Sequence, residues 1–340
     1  MKRLKDLCSI CLGVLLMAFV SLGYAQTMEQ RTDRELRPAL EASMPLDLER
    51  TGGLDNKARF QKLVGSADLP SDKAVKVYDV YAPGSAGDIR IRIYEPQNVS
   101  GSRPGVYWIH GGGFLFGVPE QDEAQSLRFA KEVGAVVAAV DYRLDKYPVP
   151  LQDAYAGLEW FAANADKFGV DKKRIAVAGA SAGGNLCAAV TLMARDKGGP
   201  ELALQMPLYP MIDDRFITPS AHEEFDSRVW NNTANAYAWK QYLGSIAGTD
   251  AVTAYMAPAR AKDLKGLPPA YSCVGNLDPF RDDTIKYFAR LIQSGIPAEL
   301  HVYPGAYHAF EVIAPNTAYG KQAVDEYVRV LRKALSADER

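Results

Sequence analysis

RIAVAGASAGGNLCAAV, residues Arg174–Val190, changes character in its middle. It opens as an apolar run of strand type, passes through Gly179, Ala180, Ser181, Ala182 and Gly183, and closes as a helix. A tight strand-to-helix turn forces its central residue into a strained conformation, and large neighbouring side chains would clash there. Gly179, Gly183 and Gly184 permit the close approach, leaving the Ser181 hydroxyl above the sheet edge. A plain glycine-rich loop is the alternative, because G-x-S-x-G also arises by chance. A nucleophile at Ser181 needs a base, an orienting acid and an oxyanion hole from the rest of the chain.

The surrounding pattern supplies a sheet. AVKVYDVYA (74–82) and DIRIRIYEP (88–96) alternate apolar and polar residues, as strands with one wetted face do. GVYWIHGGG (105–113) and GAVVAAVDYRL (134–144) are continuous apolar runs, the signature of strands covered on both faces. Helical patterns follow at 119–133, 151–168, 182–195, 281–293 and from about Tyr319, with strands LALQMPLYP (202–210), PAYSCVG (269–275) and AELHVYP (298–304) between them. Such alternation predicts an α/β fold: a mostly parallel central sheet with helices on both faces and its chemistry beyond the carboxyl ends of the strands. Two segments stand outside it, a short helical, polar stretch at 27–72 and an aromatic, helical insertion at 211–262.

Composition narrows the function. With 48% hydrophobic and 24% charged residues, the 340-residue chain reads as an ordinary globular protein with a large core. A formal net charge of −2 excludes the basic footprint of a nucleic-acid binder. No zinc-type Cys/His spacing and no G-x-x-x-x-G-K-[ST] loop is present, so no metal or cofactor is implied. Residues 1–25 read as a signal peptide: basic MKRLKDL, a short apolar stretch, and small residues at Gly23 and Ala25. The mature chain, 26–340, is then exported, periplasmic or secreted, without stable membrane insertion; an uncleaved anchor is the competing reading. Cys187 and Cys273 remain, both in apolar runs, and are expected to be buried as small hydrophobes.

WIHGGGF (Trp108–Phe114) ends a second apolar strand, and its consecutive glycines let backbone N–H groups turn toward one point, as an oxyanion hole requires. The base follows from the four histidines. His110 belongs to the glycine motif, His222 to the insertion, and His301 to a strand, where it is expected to be packed. His308 alone follows a strand in a loop, in the chain order Ser…Asp…His. Between them CVGNLDPFRDD offers Asp278, Asp282 and Asp283. Asp278 comes directly after the strand, whereas the other two fall in a helix's first turn and serve its dipole. Asp278 is therefore the candidate for orienting the imidazole.

HGGGFLFG, DYRL, GASAGG, LYP, RVWN, LPPAYSCVGNLDPFRDD and LHVYPGAYHAF, in this order, resemble the blocks of the hormone-sensitive-lipase-like family of α/β-hydrolases, bacterial esterase branch. The resemblance covers nearly all of the mature chain. It implies an α/β-hydrolase fold with a helical cap, formed by about 27–72 and 211–262. It further implies an oxyanion hole of Gly112, Gly113 and Ala182, with His110, Gly111, Gly179 and Gly183 as supporting motif residues. Three departures are visible: Ala180 replaces the usual acidic or hydroxyl residue, Ala309 replaces the usual glycine after the histidine, and DKYPVPLQD lacks the usual Ala-Pro-Glu. The expected activity is hydrolysis of a small-molecule ester by Ser181, His308 and Asp278, favouring acetyl to about hexanoyl chains. Some of Trp230, Tyr237, Trp239 and Tyr242 would wall the acyl pocket and the others pack on the core. Carbohydrate deacetylation or amide hydrolysis on the same triad is the alternative, followed by a non-enzymatic binder.

Overall fold

Alternation of side chains explains the first two strands. In β2 (Gly87–Pro96), Ile89, Ile91 and Ile93 are buried on one face while Arg90 and Arg92 pair with Glu120 and Glu123 on the other. β1 (Val75–Gly84) pairs with β2 antiparallel. The continuous apolar runs become β3 (Arg103–Ile109), β4 (Val136–Asp141), β5 (Val170–Ala180), β6 (Leu204–Leu208), β7 (Ala270–Leu277) and β8 (Ala298–Tyr307). The eight strands lie in the order β1-β2-β4-β3-β5-β6-β7-β8, with β2 antiparallel to both neighbours and β4 through β8 parallel. The computed structural model describes residues 27–46, 48, 62, 64, 67–97, 99 and 101–337. The expected signal peptide lies outside the described residues, as does much of 47–66 in the first segment expected to form a cap.

Two helical layers bury the sheet. Tyr107 and Ile109 of β3 pack with α1 (Val149–Ala163) and α2 (Ala182–Lys197), which share their face with α4 (Arg281–Gln293). Val106 and Trp108, one residue out of phase, pack with Glu123–Val133 and α5 (Ala318–Ala334) on the opposite face. The apolar stripe of α5, Ala323, Tyr327 and Leu331 at four-residue spacing, is fully buried. Truncating Leu331 to Ala there should cost about 2–5 kcal/mol. Cys187 and Cys273 are buried and unbridged, as expected. Among the described residues no helix is long and apolar enough to cross a membrane.

Two expectations change. The insertion is less helical than its composition predicts: α3 begins only at Asn232 and ends at Leu243, because the Asn231 side chain accepts from Ala234 N–H (3.0 Å) and caps it there. β8 runs past Pro304 to Tyr307, its register with β7 shifting so that Leu277 faces Tyr307. His301 packs as expected, edge-on against Tyr271 at 5.6 Å, while remaining partly exposed because β8 is an edge strand, and its Nε2 lies 3.0 Å from Glu299.

Candidate active site

The site gathers at the carboxyl ends of β3, β5, β7 and β8. Ser181 joins β5 to α2 at φ 57°, ψ −116°, a conformation costly for any residue with a Cβ. The turn holds it there by close packing: a Cβ on Gly183 would sit 2.1 Å from Ile109 O, and one on Gly179 2.4 Å from Gly183 O. Ser181 N–H donates to Leu208 O (3.0 Å), tying the turn to β6. Ala182 opens α2, so its N–H is among those a helix start leaves without an intrahelical acceptor.

His308 Nε2 lies 3.0 Å from Ser181 Oγ, and its Nδ1 lies 2.8 Å from Asp278 Oδ2. All three side chains are buried. Asp278 follows β7 directly, and its second oxygen accepts from Phe280 N–H (2.8 Å), which fixes the carboxylate. The rings of Tyr209 and Phe280 meet the imidazole edge-on, at 5.0 and 5.2 Å. Asp282 and Asp283 point elsewhere: Asp282 accepts from Ser220 N–H and pairs with Arg281, while burial pushes the Asp283 carboxyl up to about 7. His222 is exposed in the insertion. Ala309 has φ 55°, which explains the physical advantage of glycine at that position.

After β3 the glycine loop turns back beside Ser181. Gly112 (φ 118°) and Gly113 (φ 61°) occupy left-handed backbone, and a Cβ on Gly113 would meet the Trp230 ring at 2.4 Å. Gly111 passes Ala180, where a Cβ would lie 2.9 Å from Ala180 O. His110 is a buttress: its ring stacks on Tyr142 (4.3 Å), its Nδ1 donates to Gly111 O (2.8 Å), and Tyr142 OH donates to His110 O (3.0 Å).

A cavity of about 260 Å³ opens over these groups, walled by Trp230, Tyr209, Phe116, Val312 and Ile313, with Leu46 from segment 27–72 and Arg228 from segment 211–262 also lining it. Of the other insertion aromatics, Trp239 and Tyr242 pack on Phe114, Tyr242 stacking at 3.8 Å, and belong to the core. Tyr237 packs against that same core cluster, partly buried. Two carboxyl groups that sequence reasoning missed lie here. Asp122 lines the cavity, accepts from Trp108 Nε1–H (2.8 Å), and is pushed up to about 7 by burial. Glu311, also buried, lies three residues beyond His308. The only signal for Glu311 is a lone carboxylate inside the apolar run AYHAFEVIA. Among the described residues the one grouping with metal-ligand geometry is Glu299, His301 and Glu326, but Arg329 already pairs with both glutamates.

Residues 106–312 match the family described by the alpha/beta hydrolase fold. The chain belongs to the α/β-hydrolase family. Within it, this hydrolase falls in the hormone-sensitive-lipase-like esterase branch. It is 34% identical to Esterase LipI of Mycobacterium tuberculosis over 86% of this chain and 92% of the relative. It is 33% identical to Carboxylesterase NlhH of the same organism, over 83% and 89%. Among solved structures, a bacterial heroin esterase superposes with a TM-score of 0.86 at 37% identity, covering 92% of this chain and all (100%) of that one. With relatives of these names the protein is a carboxylic ester hydrolase.

Proposed function

We propose that the protein hydrolyses short- to medium-chain acyl esters through an acyl-enzyme on Ser181. The observation that carries this reading is the single line Ser181 Oγ–His308–Asp278, with both hydrogen-bond distances in place. His308 takes the Ser181 proton as Oγ attacks the ester carbonyl. Asp278 holds Nδ1–H, which fixes the tautomer and stabilises the imidazolium that forms. The N–H groups of Gly112, Gly113 and Ala182 receive the charge that develops on the carbonyl oxygen. His308 then returns the proton to the departing alcohol, the ester C–O bond breaks, and water repeats the sequence on the acyl-enzyme. No step calls for a metal or cofactor.

The cap reading is supported by contacts between its two segments. Leu46 N–H donates to Ser227 O (2.8 Å), and Arg228 pairs with Glu29 (2.8 Å), beside a cavity that both segments help to wall. The confined, aromatic cavity favours acyl groups up to about hexanoyl. The basic, apolar, small-residue order of residues 1–25 supports export to the periplasm or the medium. Purified mature protein should hydrolyse p-nitrophenyl acetate and butyrate. The Ser181→Ala variant should fold normally and be inactive; turnover retained in folded Ser181→Ala would end this reading.

A further inference from the structure

The triad leaves one buried carboxylate beside the catalytic histidine without a role. Glu311 stands on the single helical turn Phe310–Ile313 that follows His308, and it is 2% exposed. Its Oε1 accepts from Tyr209 OH (2.5 Å) and Tyr327 OH (3.2 Å), while Oε2 has no hydrogen-bond partner among the described residues. Burying a carboxyl group without a cation is expensive, and burial pushes Glu311 upward. No Lys or Arg pairs with it among the described residues, and an imidazolium at His308 is the cation that would favour its ionised form. Tyr209, the donor to Oε1, also lays its ring against the imidazole at 5.0 Å, from a backbone held at φ 31°.

We infer that Glu311 is a positioning residue for ester hydrolysis: through Tyr209 it fixes the His308 ring, and its charge stabilises the imidazolium as Ser181 is deprotonated. This rests on the Ser181–His308–Asp278 reading above. The physical point is differential. The hydroxyls of Tyr209 and Tyr327 oppose the effect of burial and favour a charge on Glu311. That charge has no cation to answer in the resting site, and gains one only as His308 accepts the proton, which is when stabilisation accelerates the reaction. The titratable groups facing Glu311 are Tyr209 at the end of β6, Tyr327 on α5, Cys273 on β7, Tyr303 on β8, and His308, with Asp122 close enough to be raised by its charge.

The test is the pH–rate profile of p-nitrophenyl acetate hydrolysis for Glu311→Gln, which keeps an acceptor for Tyr209 but removes the charge. Because Asp122 also titrates near neutrality, the comparison is made in the parent and in the Asp122→Asn background. The expected result is a kcat about tenfold lower, KM within about twofold, and an acid limb moved to lower pH by about half a unit or more in both backgrounds. Tyr209→Phe, which keeps the ring but removes the donor, should move the limb the same way by less, and it serves if Glu311→Gln does not fold. An acid limb that stays in place in the folded variants, even with a lowered melting temperature, would reduce Glu311 to a structural residue and overturn the inference. Ser181→Ala is run alongside: if it is inactive while the Glu311→Gln limb is unmoved, the inference fails and the triad stands, whereas an active Ser181→Ala removes the triad itself.

Discussion

The 260 Å³ cavity sets a measurable limit on the acyl chain. A pocket of this size, walled by Trp230, Tyr209 and Phe116, brings a lengthening acyl chain against its walls, and the expected limit is about hexanoyl. Each methylene that leaves water contributes about 0.8 kcal/mol, or about fourfold in kcat/KM. From acetyl to hexanoyl the gain is therefore at most about 3 kcal/mol, roughly 200-fold, followed by a fall as longer chains meet Trp230 and Tyr209. The assay is kcat/KM across p-nitrophenyl esters from acetate to palmitate, at concentrations below micelle formation. Trp230→Ala should shift the maximum to longer chains by removing one wall. A kcat/KM that climbs without a break to palmitate, or a profile that Trp230→Ala leaves in place, would refute the confined-cavity argument.

Three further outcomes are expected. Gly113→Ala should lower kcat by about 100-fold or more, because the added Cβ both collides with Trp230 and disfavours the left-handed backbone that aims the Gly113 N–H; single-turnover kinetics at saturating ester will measure it. Asp278→Asn should lower kcat by about 10³- to 10⁴-fold, whereas Asp282→Asn, whose carboxylate serves Arg281 and Ser220, should stay within a few-fold. Asp122 is pushed up to about 7 in the folded chain against an ordinary 3.8, so the folded state holds the extra proton and the protein loses stability as pH rises from about 4 to 7. Asp122→Asn should accordingly raise the melting temperature at pH 8 and leave it nearly unchanged at pH 4, as calorimetry at the two pH values will register.

The parts of the site that depend on local backbone were legible from the sequence. Ser181, Asp278 and His308 each follow an apolar run, and the structure sets each just beyond a strand end. Glycines at 179 and 183 announced a close approach that the Ile109 and Gly183 carbonyls now account for. What depends on contacts distant in sequence was not legible. Asp122 sits in the polar stretch PEQDEAQ, yet it is buried and accepts from the Nε1–H of Trp108, fourteen residues earlier. Glu311 is defined by Tyr209 and Tyr327, which arrive from β6 and α5. The strand order, with antiparallel β2 inserted between β1 and β4, also leaves no mark on local alternation. His301 packs on Tyr271 as its strand pattern implies, but that pattern does not show that β8 forms the open edge of the sheet.

The most direct test of the central claim is to react the protein with a fluorophosphonate and locate the adduct by peptide mass spectrometry. The triad reading predicts one equivalent bound on Ser181, loss of ester hydrolysis in step with labelling, and labelling at least about 100-fold slower in His308→Ala. Labelling of another residue, or full hydrolysis remaining after stoichiometric modification of Ser181, would contradict it.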